Sequence, residues 1–138
     1  CRSKKLDKDN ENDNFKFQFL DCDCFELDKS RLFGKYNVYF YDGPHHAFGD
    51  KDNYGNTQDG YSYYDDCLDD VFVTIIDDWT REHVQKDWRD ISKKMNYEIC
   101  YEKIMVGKGG AETNPDWRND WWNGVYVAIV KKSLKGEL

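Results

Sequence analysis

Apolar residues alternate with polar ones at the start of the folded part of the chain. Phe15, Phe17 and Phe19 are separated by Lys16 and Gln18, which is typical of a strand with one solvated face. Residues 36–41 are aromatic or β-branched and end at a Gly-Pro turn. The pattern therefore predicts a first strand over 15–19 and a second over 36–41.

Two later stretches, residues 71–76 and 124–130, are apolar at consecutive positions. Strands that are apolar on both faces belong in the interior of a sheet, so we expect a helix to cover one of those faces. Residues 97–106 are mixed and predict a further strand. Its glutamates and its apolar residues are expected on opposite faces, with Glu98 and Glu102 on one and Ile99 and Tyr101 on the other.

A helix is predicted over residues 80–95. Val84, Trp88, Ile91 and Met95 follow one another at spacings of four, three and four, which places them on one helical face. Thr80 or Asp78 is expected to cap its amino terminus. Two ion pairs at i, i+4 are expected along its exposed side, Glu82 with Lys86 and Asp90 with Lys94. The predicted fold is α+β, a twisted sheet of about five strands with one amphipathic helix packed on one face.

The chain has 138 residues, which suits one domain. Residues 1–14 hold one large apolar side chain, Leu6, and are too polar to offset the entropy lost on ordering. We therefore predict a disordered tether over residues 1–14 and a single domain over 15–138.

Composition and charge narrow the classes of function. There are 20 basic and 27 acidic residues, a formal charge of −7, and the basic residues do not cluster, which disfavours nucleic-acid binding. No apolar run is long enough to span a membrane. The aromatic content of 17% supplies the core that a folded domain needs.

The opening residues, Cys1 followed by the charged stretch KKLDKDNEND, resemble the mature form of a bacterial lipoprotein, and loosely the surface lipoproteins of Bacteroidetes. That resemblance covers about the first tenth of the chain and implies a lipid on Cys1. It also implies that the protein sits on the cell envelope or cell surface, attached to the membrane through the lipid alone.

Four further cysteines, Cys22, Cys24, Cys67 and Cys100, are an even number and fit two disulfides in an oxidising compartment. Cys22 and Cys24 are badly spaced to bridge each other in an extended chain, so each is expected to pair with Cys67 or Cys100. The alternatives are free buried thiols and a zinc site, for which the usual Cys spacing is absent.

A long loop is predicted over residues 43–66. Its potential metal ligands are His45, His46, Asp50 and Asp52. Tyr54 and Tyr61 stand where an EF-hand needs oxygen ligands, so that motif is excluded and an irregular calcium site is the remaining metal hypothesis. No other cofactor is expected.

The second candidate segment is NPDWRNDWWNG. It combines indole rings with amide, carboxylate and guanidinium groups, and the residues expected to bind a ligand or partner are Trp117, Arg118, Asn119, Asp120 and Trp121. Such a set suits sugars and protein hot spots alike, while the alternative is that the indoles close the core.

Paired carboxylates flank the strand at residues 71–76. Asp65, Asp66, Asp69 and Asp70 precede it, and Asp77 and Asp78 follow it. If that strand is interior, the two groups lie at opposite rims of the sheet, which is unsuitable for a two-carboxylate glycosidase. The group at 65–70 suits a basic protein partner.

No nucleophile or acid–base motif accompanies these residues, so a binding protein is favoured over an enzyme. The expected function is an extracytoplasmic, lipid-anchored, acidic inhibitor or immunity-type protein that binds a protein partner, such as a basic toxin. The alternatives are a carbohydrate-binding module that uses Trp117 and Trp121, and a small hydrolase with His45 or His46 as general base.

Overall fold

The structure is a computed structural model that describes residues 2–4, 19–32, 34–43, 57–107 and 123–133. Its strands are β1 Arg2–Lys4, β2 Phe19–Asp21, β3 Tyr36–Tyr41, β4 Leu68–Ile76, β5 Tyr97–Met105 and β6 Val125–Lys132. Its α-helices are α1 Thr57–Tyr64 and α2 Glu82–Lys94, and short 3₁₀ turns occupy Lys29–Arg31 and Asp65–Cys67.

The chain divides into two compact units, Cys1–Phe33 and Gly34–Leu138. In the first unit, β1 and β2 form an antiparallel pair, and the 3₁₀ turn at Lys29–Arg31 is capped by Asp28, whose side chain accepts from the Ser30 amide at 3.0 Å. Of the strand predicted at residues 15–19, only Phe19 is described, and it begins β2. Of the predicted tether, residues 2–4 form β1, and residues 5–14 lie outside the described residues.

The second unit contains a four-stranded sheet with the order β3-β4-β6-β5. β3 runs parallel to β4, and β6 runs antiparallel to both of its neighbours, β4 and β5. The α+β class is thus confirmed, but the described sheet has four strands and not about five. β3, β4 and β5 all run in one direction, so their carboxyl ends and the amino end of β6 lie at the same edge.

The predicted strands in this unit are found with shifted ends. β3 has the predicted bounds, while β4 begins at Leu68, three residues before Val71. In β5 the register shifts between Ile99 and Tyr101, which places Tyr101 opposite Ile129 of β6 and Glu102 opposite Ala128. The prediction that Glu98 and Glu102 share a face is therefore wrong, because this irregularity reverses the alternation.

α2 confirms the predicted helix and its apolar face, with Val84, Trp88 and Ile91 buried. The predicted caps, Thr80 and Asp78, are wrong: the N-cap is Arg81, which makes no side-chain cap bond. The carboxylate of Asp78 instead accepts from Asn123 and pairs with Arg81. On the exposed side of this helix, the Lys86 ammonium group lies 2.7 Å from the carboxylate of Asp90.

α1 lies within the segment predicted to be a loop, so that prediction is wrong for residues 57–64. The helix packs closely on β3 because Gly60 has no side chain: a Cβ there would lie 2.7 Å from Cε2 of Tyr41 and 2.9 Å from the hydroxyl oxygen of Tyr39. Tyr61, on the same side, is fully buried and hydrogen-bonds Thr74 of β4.

Both helices contribute to one core on one face of the sheet. It combines Tyr61 of α1 and Val84, Trp88 and Ile91 of α2 with residues of the two interior strands, Phe72, Ile76, Tyr126, Ala128 and Val130. The aromatic contacts are close, with the Trp79 ring stacked on Tyr126 at a centroid distance of 4.1 Å and Trp88 4.9 Å from Tyr61.

Three tyrosines in or beside this core have raised pKa values. Burial is the main cause of the raised pKa at Tyr61, Tyr97 and Tyr126. The carboxylates that accept from two of these hydroxyls, Asp65 from Tyr97 and Glu102 from Tyr126, raise the pKa of their partner further.

These pKa shifts predict that the fold loses stability at alkaline pH. Above about pH 10, the ordinary pKa of tyrosine, the unfolded chain releases protons that the folded protein keeps. Each such tyrosine then lowers the free energy of unfolding by up to about 1.4 kcal/mol per pH unit, and contributes no pH dependence below that range. Urea unfolding between about pH 9 and pH 11 measures the slope. We expect Tyr97→Phe to make it shallower, and an unchanged slope would contradict the assignment.

Candidate functional site

The second face of the sheet, opposite the helices, is the strongest candidate site. We call it the open face. Paired residues on neighbouring strands share a face, so the register defines rows of side chains that cross the sheet. One row consists of Val38, Val73, Ile129 and Tyr101, and the next of Phe40, Ile75, Val127 and Lys103.

The two rows form an apolar centre in which Lys103 is the one charged side chain. Val38, Phe40, Tyr101, Ile129 and the adjacent Val71 are each 39–55% exposed. Both described helices of this unit pack on the other face, so these side chains are accessible from the open side. A contiguous apolar patch of this kind is typical of a surface that another molecule covers.

One end of the open face is charged. Val71 pairs with Lys131, and Lys131 pairs with Glu98, whose carboxylate lies 3.9 Å from the lysine nitrogen. An apolar centre with a charged rim is the arrangement that protein–protein interfaces use, since the rim keeps the free protein soluble and orients its partner. The open face is therefore suited to bind a flat surface of another molecule.

The acidic residues predicted to bind a partner separate into two groups. Asp66, Asp69 and Asp70 are exposed near the amino end of β4. Asp65 instead binds within the protein. It accepts from the hydroxyl of Tyr97 at 2.5 Å, and its carboxylate lies 3.4 Å from the ammonium group of Lys132.

Lys132 strengthens this internal role, because it also donates to the backbone carbonyls of Asp65 and Leu68. The cluster connects the start of β4 to the start of β5 and the end of β6 around a half-buried ion pair. Asp65 therefore supports the sheet, and the part of the acidic stretch that can meet a partner is Asp66, Asp69 and Asp70.

The opposite end of β4 is also polar and confirms that the two carboxylate groups lie at opposite rims of an interior strand. The Asp78 carboxylate accepts from Asn123 Nδ2 at 2.6 Å and lies 3.1 Å from Arg81 Nε. Asp78 itself has a φ of 56°, a conformation that aspartate tolerates better than most residues. These contacts stabilise the loop after β4, at the edge where β3, β4 and β5 end.

The other predicted site residues adjoin this same edge in sequence. Residues 44–56, with His45, His46, Asp50 and Asp52, and residues 108–122, with Trp117, Arg118, Asn119, Asp120 and Trp121, lie outside the described residues. Their described neighbours Gly43, Gly107 and Asn123 are all at this edge. The glycan, hydrolase and calcium hypotheses thus stay predictions, and within the described ranges no group of acidic, histidine or cysteine residues could hold a metal.

The cysteines do not form the predicted bridges. None of Cys24, Cys67 and Cys100 is joined in a disulfide. The connectivities through Cys67 and Cys100 are therefore wrong: Cys67 is buried beside Asp66, whereas Cys100 is exposed on β5. Burial and the charge of Asp23 raise the pKa of the Cys24 thiol.

The sequence indicated that β4 and β6 are apolar on both faces, but it did not indicate which of the two faces stays uncovered by the helices. Tyr101 lies on the open face only because of the irregularity in β5, which the sequence did not predict.

His83, near the start of α2, is partly buried with its Nε2 atom unpartnered.

No protein-family model, curated protein or solved structure matches the chain. None of the described helices is long and apolar enough to cross a membrane.

Proposed function

We propose that this protein is a binding protein of inhibitor or immunity type whose partner is another protein, and that the partner docks on the open face. The observation that carries this proposal is the exposure of Val38, Phe40, Tyr101 and Ile129 in one connected patch. Interface cores are enriched in aromatic residues, and Phe40 and Tyr101 lie at the two outer strands of this patch, where they can clasp a partner.

The partner is expected to be basic. The chain carries a formal charge of −7, and Asp69 and Asp70 are exposed directly before Val71 of the open face. A cationic protein would be attracted over a distance and oriented by this rim, which increases the association rate at low salt. The extracytoplasmic location and the lipid on Cys1 stay predictions, since Cys1 lies outside the described residues.

Affinity capture with matched variants tests the proposal. Phe40→Asp places a charge in the apolar centre, and Ser62→Asp adds the same charge at an exposed position of α1, on the helical side. The probe is an extract of the native cell, with captured proteins quantified by mass spectrometry. Because Phe40 is half exposed, we expect both variants to keep the wild-type urea midpoint.

We expect one basic protein to be captured by the wild type and by Ser62→Asp, and at least about 10-fold less of it by Phe40→Asp, since a buried unpaired carboxylate is costly. Its capture should also fall between about 50 mM and about 500 mM NaCl. The proposal is wrong if all three proteins capture the same set.

A further inference from the structure

We propose that the free protein associates with a second copy of itself through the open face. This association would compete with the partner of the proposed function, and only the competition rests on the proposed function. The dimer requires nothing beyond the residues of this chain.

The register of the sheet makes the open face self-complementary. A twofold axis parallel to the strands, between β4 and β6, would place β4 over β6 and β3 over β5 of the second copy. Val73 would then face Ile129 of the second copy, and Val38 would face Tyr101. In the neighbouring row Ile75 would face Val127. Apolar side chains would meet apolar side chains at each of these positions.

The one charge in the two rows also finds a counterpart. The same axis places Lys103 over Phe40 of the second copy, and an ammonium group above an aromatic ring is attracted by the face of the ring. The twofold symmetry makes this contact occur twice in the dimer. At the rim, the Lys131–Glu98 pair stays at the outer margin of the interface, where water can reach it.

The size of the face sets the strength of the dimer. The two apolar rows and the row at the rim together extend along about six residues of about 3.3 Å each, and the four strands are about 4.8 Å apart, which gives a flat area of roughly 400 Å². A stable interface of standard size buries about 800 Å² on each partner. We therefore infer a weak and reversible dimer of two stacked sheets, which a better-matched partner can displace.

Salt distinguishes the two associations. Each copy carries a formal charge of −7, so two copies repel one another, and salt screens this repulsion. The dimer should therefore tighten as salt increases. A complex with a basic partner should weaken under the same change, because there salt screens an attraction.

Sedimentation equilibrium of the purified full chain tests the dimer, with a reducing agent present because Cys24 and Cys100 are exposed thiols. We expect a concentration-dependent dimer whose Kd falls several-fold between about 50 mM and about 500 mM NaCl. Phe40→Asp and Ile129→Asp should each raise that Kd at least about 100-fold, since each substitution acts twice, whereas Ser62→Asp should leave it within about 3-fold of the wild type.

A wild-type protein that stays monomeric up to about 1 mM would overturn the inference, since a Kd above that value corresponds to less than about 4 kcal/mol of association energy. So would a dimer that Phe40→Asp leaves intact. Because no partner is present, a failure here leaves the capture result untouched, and failed capture beside an intact dimer would overturn the proposed function alone.

Discussion

Replacing Trp88 by alanine should lower the free energy of unfolding by about 4 kcal/mol. Trp88 is 3% exposed and lies at the centre of the core, where its ring is 4.9 Å from that of Tyr61, 5.8 Å from Tyr126 and 6.3 Å from Tyr97. These rings belong to α1, β6 and β5, so the cavity would loosen both helices and the sheet at once.

Urea unfolding measures the loss, monitored by far-UV circular dichroism because the substitution removes a tryptophan and so changes the fluorescence. The matched control is Arg89→Ala, the next residue of the same helix, which is exposed and hydrogen-bonds Gln85 at 2.9 Å. It should cost no more than about 0.5 kcal/mol. If Trp88→Ala cost less than about 1 kcal/mol, α2 could not occupy the position described, because a buried tryptophan cannot be lost so cheaply.

The second substitution expected to have a large effect is Gly124→Ala, at the residue that leads into β6. Gly124 has a φ of 74°, which an alanine adopts only with strain. A Cβ there would also lie 2.8 Å from the Met105 carbonyl oxygen and 2.9 Å from the Gly107 amide nitrogen. These are backbone atoms and cannot rotate away. We expect a loss of about 3 kcal/mol, from strain and overpacking together.

A second glycine separates the two contributions. Gly34 has a φ of 124°, but no atom lies within 4 Å of the Cβ that a substitution would add. Gly34→Ala should therefore cost the strain alone, about 1–2 kcal/mol. Equal losses at the two glycines, measured by urea unfolding, would show that the backbone around Gly124 yields and that the edge formed by β5 and β6 is looser than described.

Local patterns predicted the elements whose side chains repeat regularly. The apolar face of α2 and the bounds of β3 follow from spacing alone, because a long amphipathic helix and an aromatic strand have few alternatives. α1 was missed since it is short, contains Gly60 and lies among turn-forming residues. Its stability comes from Tyr61 in the core and from the close approach of Gly60 to Tyr41, and neither contact is visible in a local window.

The site was harder to predict than the fold for a related physical reason. The acidic stretch was visible, but the partners of Asp65 are Tyr97 and Lys132, 32 and 67 residues away, and only the fold brings them together. The apolar second faces of β4 and β6 were visible too. Whether such a face is covered depends on where the helices pack, and alternation along one strand contains no information about the other side of the sheet.

Methyl NMR of the isoleucine and valine side chains tests directly whether the open face is the binding surface. The protein captured from the native cell is titrated into the labelled chain, and the methyl signals of Val38, Val73, Val127 and Ile129 are compared with those of Val84 and Ile91 in the core. We predict that the first group shifts or broadens while the core signals stay in place. If the open-face methyl signals are unchanged when the partner is saturating, the partner binds elsewhere and the assignment of the open face is wrong.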